Sequence, residues 1–91
     1  MSVVFLDFET SGFNPYHDDI IEIALKLMNS DTSYNTLVHP QSNECISQRI
    51  TAVTSITNDL LRKEGIPWLE AYISLNDILK EIFKNSSNNK I

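Results

Sequence analysis

The sequence predicts an α/β domain in which a three-stranded antiparallel meander comes first and helices follow. Two observations carry this: over residues 18–38 apolar side chains recur with the two-residue period of strands, and over residues 68–82 they recur at spacings of four and three. A third is the position of the turn formers, which cluster at Ser11-Gly12-Phe13-Asn14-Pro15, at Asn29-Ser30-Asp31 and after Pro40.

The first strand is Val3-Val4-Phe5-Leu6-Asp7-Phe8-Glu9-Thr10. Its unbroken apolar opening suggests a strand buried on both faces. From Asp18 to Met28 the chain alternates, with Ile21, Ile23, Leu25 and Leu27 on one face and Glu22 and Lys26 on the other, which is a second strand. A polar turn over residues 29–33 leads to a third, marked by Tyr34, Thr36 and Val38 and stopped by Pro40. After a loop at residues 41–44, Ser47 caps a short helix through Val53. Thr57 caps a second over residues 58–64, closed by Gly65 and Pro67. Trp68, Tyr72, Leu75, Leu79 and Ile82 then mark the apolar stripe of a helix that packs on the sheet, with both aromatics in the core. Residues 84–91 are almost entirely polar and read as a loop or frayed tail.

Composition narrows the function classes. Ninety-one residues hold one small domain, and 42% hydrophobic with 21% charged residues is ordinary for a globular protein. The longest apolar run is four residues, and no basic stretch followed by an apolar one begins at Met1. No membrane partner and an intracellular, cytoplasmic location are therefore expected. Cys45 is the single cysteine, so an internal disulfide and a cysteine-rich zinc site are excluded; it reads as a small half-buried side chain. A net charge of −5 argues against tight nonspecific binding of duplex nucleic acid, which needs clustered Lys and Arg. An acidic chain still handles nucleic acid where metal ions supply the positive charge.

The chemistry is concentrated at Asp7 and Glu9. Two positions apart in a strand, their side chains leave the same face, while Leu6 and Phe8 leave the other. Held about 6 Å apart at an effective dielectric of about 20, two carboxylates repel by roughly 3 kcal/mol, a load that a buried site carries when a hard divalent cation lies between them. The turn-rich stretch that follows places them at the carboxyl end of the strand, where open sheets gather ligands. The tripeptide Asp-x-Glu alone also fits a solvated strand end, and both readings stand at this point.

The order of motifs resembles the amino-terminal half of the DEDD-type 3′–5′ exonuclease superfamily, the group of proofreading exonucleases and ribonuclease T. The first motif of that family, an apolar strand, Asp-x-Glu-Thr, a small residue, Gly and a large apolar residue, stands here as Phe5-Leu6-Asp7-Phe8-Glu9-Thr10-Ser11-Gly12-Phe13. The next strand of the family resembles Ile20-Ile21-Glu22-Ile23-Ala24. Val53-Thr54-Ser55-Ile56-Thr57 resembles a family stretch that commonly reads His-Gly-Ile-Thr, with Thr54 in the His place and Ser55 in the Gly place. Gly65-Ile66-Pro67 and the helix after it match as well.

The resemblance implies a ribonuclease H-like exonuclease fold, truncated, and hydrolysis at the 3′ end of a single-stranded nucleic acid with two Mg²⁺ or Mn²⁺ ions. It places catalysis and metal binding on Asp7 and Glu9, and contact with the terminal nucleotide on Thr10 and Phe13. It also exposes departures. Two of the family's four acids are present; the His-Asn-x-x-Phe-Asp and His-x-x-x-x-Asp motifs that carry the others do not occur, and neither His17 nor His39 has an Asp five residues on. Asp18, Asp19 and Glu22 read as solvated or capping. The fourth strand of the family, which pairs beside the first, has no counterpart in the sequence. The expectation is that residues 1–84 form the amino-terminal half of an exonuclease domain, with residues 85–91 a polar tail, completed by another chain or by self-association. The alternative is a non-catalytic remnant or interaction module that docks on a partner through the open sheet edge.

Overall fold

A computed structural model describes residues 3–12, 14, 16–42 and 45–88. Three strands, β1 (Val4–Thr10), β2 (Ile20–Leu27) and β3 (Ser33–Leu37), are followed by three helices, α1 (Gln48–Thr54), α2 (Asn58–Glu64) and α3 (Trp68–Asn88). The sheet has the order β1-β2-β3 with both pairings antiparallel, the meander that the alternating pattern predicts. Its tight connection turns on Asn29, which takes φ 61°, a left-handed conformation that Asn tolerates better than most residues. Lys26 Nζ donates to the Ser30 carbonyl at 2.6 Å and steadies the same turn.

The helix caps also follow the sequence. The hydroxyls of Ser47 and Thr57 accept from the N–H groups of Ile50 and Leu60, satisfying donors that the first turns leave open. Asn58, the first residue of α2, reaches back across the chain: its Oδ1 accepts from Ile46 N–H at 2.8 Å and its Nδ2 donates to the Ile46 carbonyl at 3.2 Å. The segment between α2 and α3 hooks onto the end of β3. His39 N–H donates to the Ile66 carbonyl and Ile66 N–H to the Leu37 carbonyl, and Val38 forms a parallel bridge with Ile66 instead of extending β3.

Two apolar clusters hold the layers together. Ile21, Leu37, Ile46, Ile56 and Leu61 form one, which joins β2 and β3 to α2 and to the segments before α1 and α2. Ile23, Val38 and Ala71 form the other, flanked by Trp68 and Leu75 of α3. Both rest on β2 and β3, and this overturns one expectation. Strand β1 is not buried on both faces: Phe5, Leu6 and Phe8 are 56%, 44% and 41% exposed. The physical reason is topological, since β1 lies at the sheet edge with a strand on one side only among the described residues.

Three smaller expectations are corrected. Tyr72 is half exposed, and Ala71 takes the buried place on α3, because the helix turns its 71, 75 and 82 positions inward. Cys45 is exposed, not half-buried, lying in the segment that leads into α1. Helix α3 continues through Asn88, into the stretch whose composition suggests a loop. No helix among the described residues is long and apolar enough to cross a membrane.

Candidate functional site

The site is built from the carboxyl end of β1 and the loop that leaves it. Register places Asp7 opposite Ala24 and Glu9 opposite Glu22 on the neighbouring strand, so these four residues share one face with Phe5 and Lys26. The small Ala24 leaves open space beside Asp7. An open groove runs there, lined by Phe5, Asp7, Ala24, Lys26, Ser33 and Asn35. Asp7 is exposed and Glu9 half-buried. The two acids share a face as predicted, but the buried pair expected from sequence does not form, for the same reason that β1 is exposed. At a separation of about 6 Å in water their repulsion falls to about 0.7 kcal/mol, so the pair does not by itself demand a cation.

Glu22, set aside by sequence reasoning, stands directly across from Glu9. Like charges in that position cost stability. The pairing slips immediately afterwards, with Thr10 opposite Ile20, so Ile21 is the extra residue of a bulge at the end of the site. Bulges of this kind re-aim a strand next to a functional site.

Beyond the bulge the chain enters a knit loop. Thr10 Oγ1 donates to the Gly12 carbonyl at 2.7 Å. The Asp18 carboxylate accepts from Asn14 N–H at 2.9 Å and from the Ser11 hydroxyl at 3.3 Å. Asp19 Oδ2 accepts from the Ser42 hydroxyl at 2.9 Å and ties the loop to the segment after β3. Of the two roles the sequence left open for Asp18 and Asp19, solvated or capping, their carboxylates take up loop donors as caps do, whereas their partners are set by the fold and left no signal in the sequence. Phe13, expected to meet the terminal nucleotide, lies outside the described residues. His17 is exposed on the same loop, its backbone N–H donating to the Asn14 carbonyl, and His39 is half-buried at the end of β3.

The donor chemistry of Asp7 and Glu9 fits a hard divalent ion: two carboxylates, on one face, reachable from solvent. Their number does not make a closed site. Among the described residues no three His, Cys, Asp or Glu side chains converge where they could hold a metal ion. Two carboxylates alone leave a divalent ion short of ligands, which substrate phosphates or other residues would have to supply.

Comparison with known proteins places this geometry. The family model described as exonuclease, of the RNase T type, matches residues 4–89. The chain is 41% identical over 64 residues to the DNA polymerase III PolC-type of Thermotoga petrophila, an alignment that covers 67% of this chain and 4% of that protein. The corresponding proteins of Thermotoga maritima and Clostridium perfringens are 39% identical over 64 residues and 43% identical over 61, covering 67% and 64% of this chain and 4% of each relative. The chain thus spans a small fraction of the length of the curated relatives it matches. A family match over nearly the whole sequence, on a meander that carries Asp-x-Glu at the end of its first strand, shows that this chain belongs to the RNase T-type exonuclease family.

Proposed function

We infer that this chain supplies the first two acids of a metal-dependent 3′–5′ exonuclease site that acts on the 3′ end of a single-stranded nucleic acid. The observation that carries the reading is the placement of Asp7 and Glu9 on one open face, at the strand end where the knit loop begins. In this reading Asp7 and Glu9 hold Mg²⁺ or Mn²⁺. When bound, such ions supply charge stabilisation for the entering and leaving oxygens of an in-line displacement. The two carboxylates orient that charge toward the groove, and the exposed face admits the strand end. Thr10 meets the terminal nucleotide through its hydroxyl oxygen, which keeps its acceptor capacity while its proton is donated to Gly12; Phe13 packs on the same nucleotide. Kinship with polymerase chains of PolC type favours DNA as the strand.

Residues 1–84 then form the amino-terminal half of the exonuclease domain, and the remaining acids and the general base come from outside residues 1–91, as further sequence of a larger exonuclease, a completing chain or a second copy. The test is release of labelled mononucleotide from a 3′-labelled single-stranded oligonucleotide in Mn²⁺. Release is expected only where the missing acids are supplied, in the chain alone by self-association, and Asp7→Ala is expected to abolish it there without lowering the melting temperature. A folded wild type without activity sinks the catalytic reading for the chain alone.

One observation favours a second reading, an interaction module without catalysis. Phe5, Leu6 and Phe8 are exposed on a strand whose outer edge has no partner among the described residues, a surface suited to strand addition. Under that reading Asp7→Ala leaves docking nearly unchanged.

A further inference from the structure

A single carboxylate organises the loop that leaves β1. Asp18 Oδ2 accepts from the backbone N–H of Asn14 at 2.9 Å, and Oδ1 accepts from the Ser11 hydroxyl at 3.3 Å. The same carboxylate lies so close over Gly12 that a Cβ there would stand 2.4 Å from Oδ2 and 2.7 Å from Cγ. Asp18 therefore holds the chain on both sides of position 13. Its grip extends toward the acids, because Gly12, over whose Cα it packs, accepts the Thr10 hydroxyl at its carbonyl at 2.7 Å, and Thr10 follows Glu9.

The base of the loop is closed independently. Ser11 N–H donates to the Asp19 carbonyl at 2.8 Å, and Asp19 N–H donates to Ser11 Oγ at 2.8 Å. The Ser11 hydroxyl is thus acceptor from one neighbour and donor to Asp18, so its orientation is set from both sides. A surface acid serving only solubility would need neither the two donors nor a glycine beneath it. The half-buried Asp18 has both.

The geometry points to Asp18 as a positioning residue for strand-end recognition: it holds Ser11, Gly12 and Asn14 in the conformation that presents Thr10 to a 3′-terminal nucleotide, without itself touching substrate or metal. This rests on the exonuclease reading above. It adds a residue outside the acids and outside the terminal-nucleotide contacts assigned there.

The experiment uses the full 91-residue chain and two probes, a 3′-hydroxyl single-stranded hexanucleotide and the same strand ending in a 3′-phosphate, with binding read by fluorescence anisotropy in Ca²⁺. Wild type is expected to prefer the 3′-hydroxyl strand. Asp18→Ala is expected to bind it about tenfold more weakly, while affinity for the 3′-phosphate strand and the melting temperature hold, and the Asn14 amide loses its hydrogen-exchange protection. Asp18→Asn keeps the size and one acceptor, and should lose about threefold; it serves if the alanine variant does not fold. Gly12→Ala should act in the same direction, because its Cβ displaces the carboxylate, and combining it with Asp18→Ala should add nothing. An end preference that survives in Asp18→Ala overturns the positioning role and leaves the exonuclease reading intact. So does an equal loss for both probes that tracks a lowered melting temperature, since Asp18 would then serve stability alone. A folded wild type with no end preference overturns the exonuclease reading, and the positioning role with it.

Discussion

Replacing Asn58 by Ala removes a clamp that spans twelve positions of sequence. Its Oδ1 accepts from Ile46 N–H at 2.8 Å and its Nδ2 donates to the Ile46 carbonyl at 3.2 Å, so one amide pairs both backbone groups of one residue. Ile46 is 6% exposed and belongs to the cluster with Ile21, Leu37, Ile56 and Leu61, so water does not readily replace those partners. An orphaned buried backbone group costs about 1 to 1.5 kcal/mol, which puts the alanine variant roughly 2 to 3 kcal/mol below wild type. For a domain of 91 residues, at an unfolding entropy of about 2 cal/mol/K per residue, each kcal/mol moves the midpoint by about 5 °C. Thermal unfolding followed by circular dichroism should therefore show a drop of about 10 to 15 °C. Asn58→Asp keeps the acceptor for Ile46 N–H and places a negative charge at the start of α2, where the helix dipole favours it, but lacks the second donor. It should lose about half as much. A drop under about 3 °C for alanine, or equal drops for both variants, refutes the idea that this pair of hydrogen bonds anchors the segment before α1.

Ser55 ends α1 at φ 66°, a left-handed conformation in which a side chain costs about 1 kcal/mol and glycine costs little. Ser55→Gly, after the greater unfolded-state freedom of glycine is subtracted, should raise the melting midpoint by up to about 3 °C, and a lower midpoint would contradict the assignment. Gly65 poses the opposite case. Its φ of −68° suits alanine, so backbone freedom alone predicts stabilisation by Gly65→Ala, but a Cβ would stand 2.5 Å from the Leu61 carbonyl oxygen and 3.3 Å from His39 N. The contact with backbone reverses the sign, and urea unfolding should show a loss of about 1 to 3 kcal/mol; a gain would mean that the chain shifts to make room.

Much of the fold was legible because its signals are local. The alternation of Ile21, Ile23 and Leu25 against Glu22 is a property of neighbouring residues, and β2 follows it. Ser47 and Thr57 announce α1 and α2 by the needs of the first turn, which the cap residue meets alone. The Ser55 position shows what no local signal prepares for: the chain must turn left-handed at the end of α1, and serine does so at a cost. Gly65, by contrast, looks like a left-handed cap in sequence and is in fact required for close approach of Leu61 and His39. Its neighbours come together only when the segment after α2 hooks onto β3.

The candidate site divides along the same line. That Asp7 and Glu9 share a face needs only the two-residue period of a strand, and the sequence suffices for it. Their solvent exposure, the groove beside Ala24 and the Glu22 carboxylate opposite Glu9 depend on strand order and register, which no single stretch encodes. Asp18 shows the difference most sharply. As a residue in a polar loop it has the same local appearance as Asp31, yet the fold brings it against Ser11, Gly12 and Asn14. Local periodicity and capping determined the elements, their order and the pair of acids on one face. Tertiary structure decided which of those elements lies at the edge, how far the acids are from water's reach, and which carboxylate holds the loop, because burial and hydrogen-bond partners are set by residues distant in sequence.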